Sequence, residues 1–234
     1  MALKDTLIDA GPAGISPFAA GDYVGFGVAL IRSAARTCKG SMADNADAII
    51  GFSVQPQNGV VLDKDGFYQS SNNAGVPDVV RVARKGAVIN ALVIAKANTS
   101  IVDGDYLEAA PLGDASCYVG VLNEAGTNAG ETRTSTSLAQ ALEDCSITNT
   151  SYKQPTGNVA VGASTITLSS GDMTLLDLKE GDYIVLEDVN GDAQLNRVKS
   201  KTSTVITLEL PSTVALAANT DYVYKVFQVK VVVI

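Results

Sequence analysis

Three times in 234 residues the chain writes Gly-Asp-Tyr: Gly21-Asp22-Tyr23, Gly104-Asp105-Tyr106 and Gly181-Asp182-Tyr183. Each copy opens an apolar run: Val24-Gly25-Phe26, Leu107-Glu108-Ala109 and Ile184-Val185-Leu186. Gly tolerates the backbone angles of a tight turn, Asp bonds nearby backbone amides, and Tyr suits the start of a half-buried strand. A chain punctuated this way folds into short strands joined by turns, and such strands commonly serve as scaffolding.

Composition agrees. The chain is 46% hydrophobic but only 6% aromatic, so small and β-branched residues must fill its cores. Charged residues make up 18%, below the roughly 25% of an average soluble domain, which points to surface covered by partners. The net charge of −8 repels phosphate backbones and anionic headgroups, so neither nucleic acid nor membrane is expected as a partner. Cys38, Cys117 and Cys145 are widely spaced and form no CxxC. They read as buried thiols of a protein made in a reducing cytoplasm, not as a disulfide framework or zinc site. The N-terminal stretch lacks a basic region followed by an apolar core, and no run is long enough to span a bilayer.

The expected fold class is mainly β. Residues 1–20, broken by Gly11, Pro12, Gly14 and Pro17, read as an extended arm. A β-rich domain follows over 21–146, with strands at 23–31, 48–54 and on both sides of Lys85-Gly86, and a loop over 33–47. One short helix is expected within it, since Leu138, Ala141, Leu142 and Cys145 recur at helical spacing after the capping residues Thr134 and Ser135. Residues 147–158 read as a linker. Residues 159–234 then alternate as five strands (159–168, 183–187, 195–199, 205–210 and 222–233), a small barrel or sandwich with Asn190-Gly191 in a hairpin turn. The final strand ends in Val231-Val232-Val233-Ile234 without a polar cap, so it is either central in this domain or paired with another subunit.

Little in the chain announces chemistry. The absence of His excludes the Ser-His-Asp triad, the Cys-His dyad and imidazole metal sites. Gly162-Ala163-Ser164 lacks the second Gly of a nucleophile elbow, and Gly25-Phe26-Gly27 lacks the rest of a dinucleotide loop. Asp188, Asn190 and Asp192 are spaced like the first ligands of a calcium loop, but Ala193 replaces the obligatory Gly and Lys199 the closing Glu. A hairpin turn accounts for the same residues, so neither a metal site nor a catalytic or cofactor site is assigned. Glu187-Asp188 and Glu143-Asp144 are neighbours that point to opposite faces of a strand. Arg81, Arg84 and Lys85 form the one basic cluster, either a solvated strand end or a contact for an acidic neighbouring subunit.

Val80–Val88, Val102–Leu107 and Tyr118–Ala125, with Ala20–Val24 and Ile49–Phe52 before them and Thr136–Glu143 after, resemble the small β-rich capsid decoration proteins of HK97-type tailed viruses. The resemblance covers residues 18–145. It implies a non-enzymatic virion protein, homotrimeric, made in the host cytoplasm and seated on the capsid surface. There it would bridge copies of the major capsid protein, with the C-terminal domain projecting. Two other readings stand beside it: a tail tube or fibre subunit polymerising through strand edges, and a carbohydrate- or receptor-binding module using exposed Tyr222 and Tyr224.

Overall fold

The computed structural model describes residues 7–10, 14–40, 49–56, 62–94, 100–110, 119–124, 133–146 and 152–234. The chain is mainly β, as its turns and composition imply, with one helix among the described residues. The strands are β1 (Leu7–Asp9), β2 (Ile15–Ala20), β3 (Val24–Gly25), β4 (Ala29–Ala34), β5 (Thr37–Gly40), β6 (Ile49–Val54), β7 (Phe67–Tyr68), β8 (Val79–Ala83) and β9 (Val88–Val93). They continue with β10 (Tyr106–Ala109), β11 (Leu122–Glu124), β12 (Ala139–Ala141), β13 (Tyr152–Lys153) and β14 (Thr165–Thr167). After α1 (Ser170–Leu176) come β15 (Tyr183–Glu187), β16 (Ala193–Lys201), β17 (Val205–Leu208), β18 (Tyr222–Lys225) and β19 (Phe227–Val233).

Three β units result, the two-stranded ribbon of β3 and β7 being counted with the first, whose core it shares. In the first, β2-β5-β4-β6-β8 close into a barrel. In the second, β1-β9-β11-β10-β12-β19 form a sheet whose last strand also pairs with β9, bringing the ring of strands back on itself. The third is the sheet β13-β18-β15-β16-β17-β14. Closure removes open edges from the first unit, which suits strands as apolar as Ile49–Val54.

The arm reading is corrected over its second half. Ile15–Ala20 is a barrel strand, antiparallel to β8 and parallel to β5, and it buries Phe18 and Ala20. Pro17 is tolerated there because Pro costs a strand only the hydrogen bond of its own missing N–H. The strand expected over 23–31 is broken at Gly27, whose φ of +84° turns the chain. A Cβ at Gly27 would lie 2.6 Å from the carbonyl oxygen of Asn90, so the turn needs Gly for space as well as conformation. The loop expected over 33–47 contains β5, and its residues 41–47, with residue 48 of the next expected strand, lie outside the described residues. Of the expected linker, 147–151 lie outside them too, while Tyr152–Lys153 pairs with β18.

The helix expected over 134–145 is replaced by a turn and a strand. Ser137 donates its N–H to the Thr134 carbonyl at 3.3 Å, and Ala139–Ala141 inserts between β10 and β19. Leu138, Ala139 and Ala141 are buried, whereas Leu142 is 37% exposed, against its place on the supposed helical stripe. Two waiting strand edges outweigh a weak helical period. The helix that does form begins one residue after Ser169, whose hydroxyl accepts from Asp172 N–H at 3.0 Å. It ends at Asp177 in the left-handed region, φ 43°. Lys225 of β18 donates to the Leu176 and Asp177 carbonyls at 2.8 and 3.1 Å, satisfying groups the helix end leaves free.

The last strand corrects a second expectation. Tyr222–Val233 breaks at Val226: β18 stays in the third sheet, while β19 crosses to the second unit and lies between β9 and β12. Val229, Val231 and Val233 are buried there, so the uncapped apolar terminus finds its partner within the chain.

The third sheet is covered on both faces. Ile184, Leu186, Val198 and Val223 face its own core with Met173 and Leu176 of α1. Tyr183, Val185, Leu195 and Tyr224 face the other way into a core shared with Phe18, Val24, Leu30, Phe67 and Tyr68 of the first unit. This explains why all five residues of β15 are buried.

Candidate interaction surfaces

The Gly-Asp-Tyr repeat resolves into two matching turns and one outlier. At Val102–Asp105 and Lys179–Asp182 the Asp N–H donates to the carbonyl three residues back, at 3.0 and 3.1 Å, and its carboxylate accepts from that residue's N–H at 2.7 and 2.8 Å. Gly104 and Gly181 sit at φ +98° and +89°, as the third position of a type II turn demands. Each Gly also donates its N–H to a neighbouring residue's carbonyl, Gly104 to Ala141 and Gly181 to Val198, and the N–H of that same residue donates to the carbonyl of the following Asp, Asp105 or Asp182. The pair is one structural device used twice, in the second and third units. At Gly21-Asp22-Tyr23 the carboxylate accepts only from the adjacent Tyr23 N–H, on the surface. Identical tripeptides thus differ because the residue three back is Ala19, already committed to the barrel.

Tyr183 carries the junction between the first and third units. Its hydroxyl donates to the Gly66 carbonyl and accepts from Phe26 N–H at 3.1 Å, and its ring meets Phe67 edge-on at 5.6 Å. Burial pushes the phenol well above its ordinary pKa. Beside it, Arg197 pairs with Asp65 and donates Nε–H to the Gly181 carbonyl at 2.8 Å.

Asp188, Asn190 and Asp192 are drawn together by the hairpin itself. The Asp188 carboxylate accepts from Asn190 N–H at 2.9 Å, Asn190 Nδ2 at 3.1 Å and Asp192 N–H at 2.8 Å. Desolvation works against ionisation, but these hydrogen bonds outweigh it and hold the carboxyl below the usual range. No group of three metal-ligating side chains occurs among the described residues.

Tyr222 and Tyr224 do meet, with Tyr152 as a third member, their ring centroids 5.3–5.9 Å apart. The premise that both are exposed fails: Tyr224 is buried, and its phenol is pushed up by burial and by Glu187, to which it is hydrogen-bonded. Tyr152 and Tyr222 are half-buried against the shared core. Cys38 is fully buried and its thiol is pushed up to about 12 by desolvation, while Cys145 is half-buried and Cys117 lies outside the described residues.

The basic cluster divides. Arg81 donates to the Gln55 carbonyl at 3.0 Å and borders an apolar groove of about 610 Å³ on the first barrel. Ile15, Pro17, Pro56, Leu62 and Tyr68 line this groove with Pro77 and Val79. Val79 is 62% exposed and nearby Val76 52%, so β-branched surface is left facing water. Arg84 and Lys85 face a different cleft at the β8–β9 turn. Sequence reading missed the groove, because its walls come from four separated segments. No family model and no curated protein matches the chain.

Proposed function

We propose that this chain is a non-enzymatic structural protein of a viral shell, a decoration protein that binds across neighbouring major capsid subunits and stabilises the lattice. The observation that supports it is the apolar groove with exposed Val76 and Val79 on the first barrel, within the residues that resemble that family. Exposed β-branched side chains on a rigid closed barrel suit a protein–protein contact better than a reaction pocket. Three units welded through shared cores and a returning C-terminal strand make a body able to transmit load between shell subunits. Binding to the assembled shell, and not to free subunits, would stabilise it by mass action. Self-association into a trimer belongs to this reading and rests on low charge density alone, since β19 is paired within the chain.

The test is sedimentation of the purified protein with empty shells of the major capsid protein from the same genome. Saturable co-sedimentation, a raised shell melting temperature, and loss of both in Val79→Asp at unchanged protein stability are expected. No binding overturns the reading; filaments of the protein alone favour a tail-tube or fibre subunit instead.

A further inference from the structure

Asn190-Gly191 is a chemically labile pair, set at the exposed tip of the β15–β16 hairpin. With no side chain on Gly191 to block the approach, its backbone nitrogen can attack the Asn190 side-chain carbon. The new N–Cγ bond forms as the nitrogen gives up its proton, the Cγ–Nδ2 bond breaks, and ammonia leaves with that proton. Water then opens the resulting succinimide at either carbonyl, leaving Asp or isoaspartate at position 190. The hairpin holds the groups this reaction needs on one residue, Asp188. Gly191 N–H, the nucleophile, donates to the Asp188 carbonyl at 3.2 Å. Asn190 Nδ2, the leaving group, donates to Asp188 Oδ2 at 3.1 Å. Asp188 Oδ1 accepts from the N–H of Asn190 and of Asp192, at 2.9 and 2.8 Å, which fixes the carboxylate in turn. Asp188 N–H donates to the Asp192 carbonyl at 3.0 Å and closes the hairpin.

These contacts oppose the reaction at each step. An N–H engaged with a carbonyl must lose that bond before its nitrogen can attack. An amide that donates to an anion carries more electron density at its carbon, and the tether keeps the side chain beside residue 188. The ionised carboxylate also repels the negative charge that develops on the attacking nitrogen and on the tetrahedral centre. We propose that Asp188 guards Asn190 against succinimide formation, so that this modification site stays closed while the hairpin is folded and opens when it unfolds. The Asp188-Asn190-Asp192 spacing, which resembles the start of a calcium loop, then has a use that needs no ion. The inference does not depend on the shell reading, and either can fail without the other.

The full-length protein is incubated in warm neutral buffer, folded or unfolded in guanidinium chloride. Peptide mapping by mass spectrometry follows conversion at Asn190, separately from the chain's other Asn-Gly pair, Asn58-Gly59. The folded wild type should convert far more slowly than the unfolded chain. Folded Asp188→Ala should convert roughly tenfold faster than folded wild type, one charge-assisted hydrogen bond being lost. Asp188→Asn keeps an acceptor for the two backbone amides but loses the charge, so it should convert faster than wild type in an intact hairpin. Hydrogen exchange of the residue-188 amide reports whether the hairpin stays closed, since that amide donates to the Asp192 carbonyl without using the side chain. Where Asp188→Ala opens the hairpin, Asp188→Asn decides. Folded wild type converting as fast as the unfolded chain, no acceleration in either variant, or acceleration confined to variants that lose protection of that amide would each overturn the proposal.

Discussion

Tyr183→Phe removes one oxygen atom from the junction between the first and third units and leaves the packing in place. The ring stays edge-on to Phe67, and no cavity larger than the hydroxyl opens. Two hydrogen bonds are lost, from the hydroxyl to Gly66 and from Phe26 N–H to the hydroxyl. The site is 2% exposed, so water does not replace the hydroxyl. At about 1 kcal/mol net per hydrogen bond, and more where a buried partner is left unpaired, the variant should lose about 2–3 kcal/mol. In a chain of this size each kcal/mol is worth roughly 2–4 °C, so the melting temperature should fall by about 4–12 °C. Urea unfolding followed by both far-UV and near-UV circular dichroism gives the free energy and tests whether the transition is all-or-none. A loss under about 0.5 kcal/mol with an unchanged denaturant slope would refute the claim that Tyr183 joins the units. The neighbouring Arg197–Asp65 pair supplies a contrast: Asp65 is 80% exposed, so Asp65→Asn should cost well under 1 kcal/mol.

Asp105→Ala should cost about 1–2 kcal/mol and the less buried Asp182→Ala about 1 kcal/mol, since each frees an amide three residues back, whereas Asp22→Ala should be nearly neutral. Equal losses for all three in thermal melts would sink the distinction between the turns. Val231→Asp places a charge in a fully buried site between β9 and β12 and should cost more than about 4 kcal/mol; a near-wild-type melt would contradict the strand's position. The phenols of Tyr68, Tyr183 and Tyr224 are all raised, chiefly by desolvation, above the unfolded value of about 10. A raised folded pKa stabilises fully below the unfolded value and is lost as pH climbs above it. Cys38, raised in the same way from an unfolded value near 9, adds an earlier loss, so unfolding free energy should be level from about pH 7 to 8, begin to fall near pH 9 and fall more steeply above about pH 10, less so there in Tyr183→Phe. Cys38 should resist thiol reagents at pH 8 until denaturant is added; labelling of all three thiols in the native protein would refute its burial.

The local grammar was legible in the chain because it depends on neighbours in sequence. Asn190-Gly191 makes its hairpin, Tyr183–Glu187 its strand, and Lys85-Gly86 its turn between β8 and β9, since turn chemistry and side-chain alternation are short-range. The Ser169…Asp172 cap was equally readable as a helix start and went unread, being followed by only one short turn-rich helix. What stayed hidden is what distant partners decide. Leu138–Cys145 carries a helical stripe, yet its Ala139–Ala141 becomes strand, because β10 and β19 present open edges on either side of it. Ile15–Ala20 looks like an arm until β5 and β8 flank it. The apolar terminus looks like a central strand of the C-terminal domain or an intersubunit edge until the chain, having left the third sheet at Val226, returns to β9. The apolar groove and the cationic cleft belong to the same class, each assembled from segments far apart in sequence. Turns and alternation are fixed by bonds and sterics a few residues long; strand partners and surface clefts are chosen by burial, which only the whole folded chain defines.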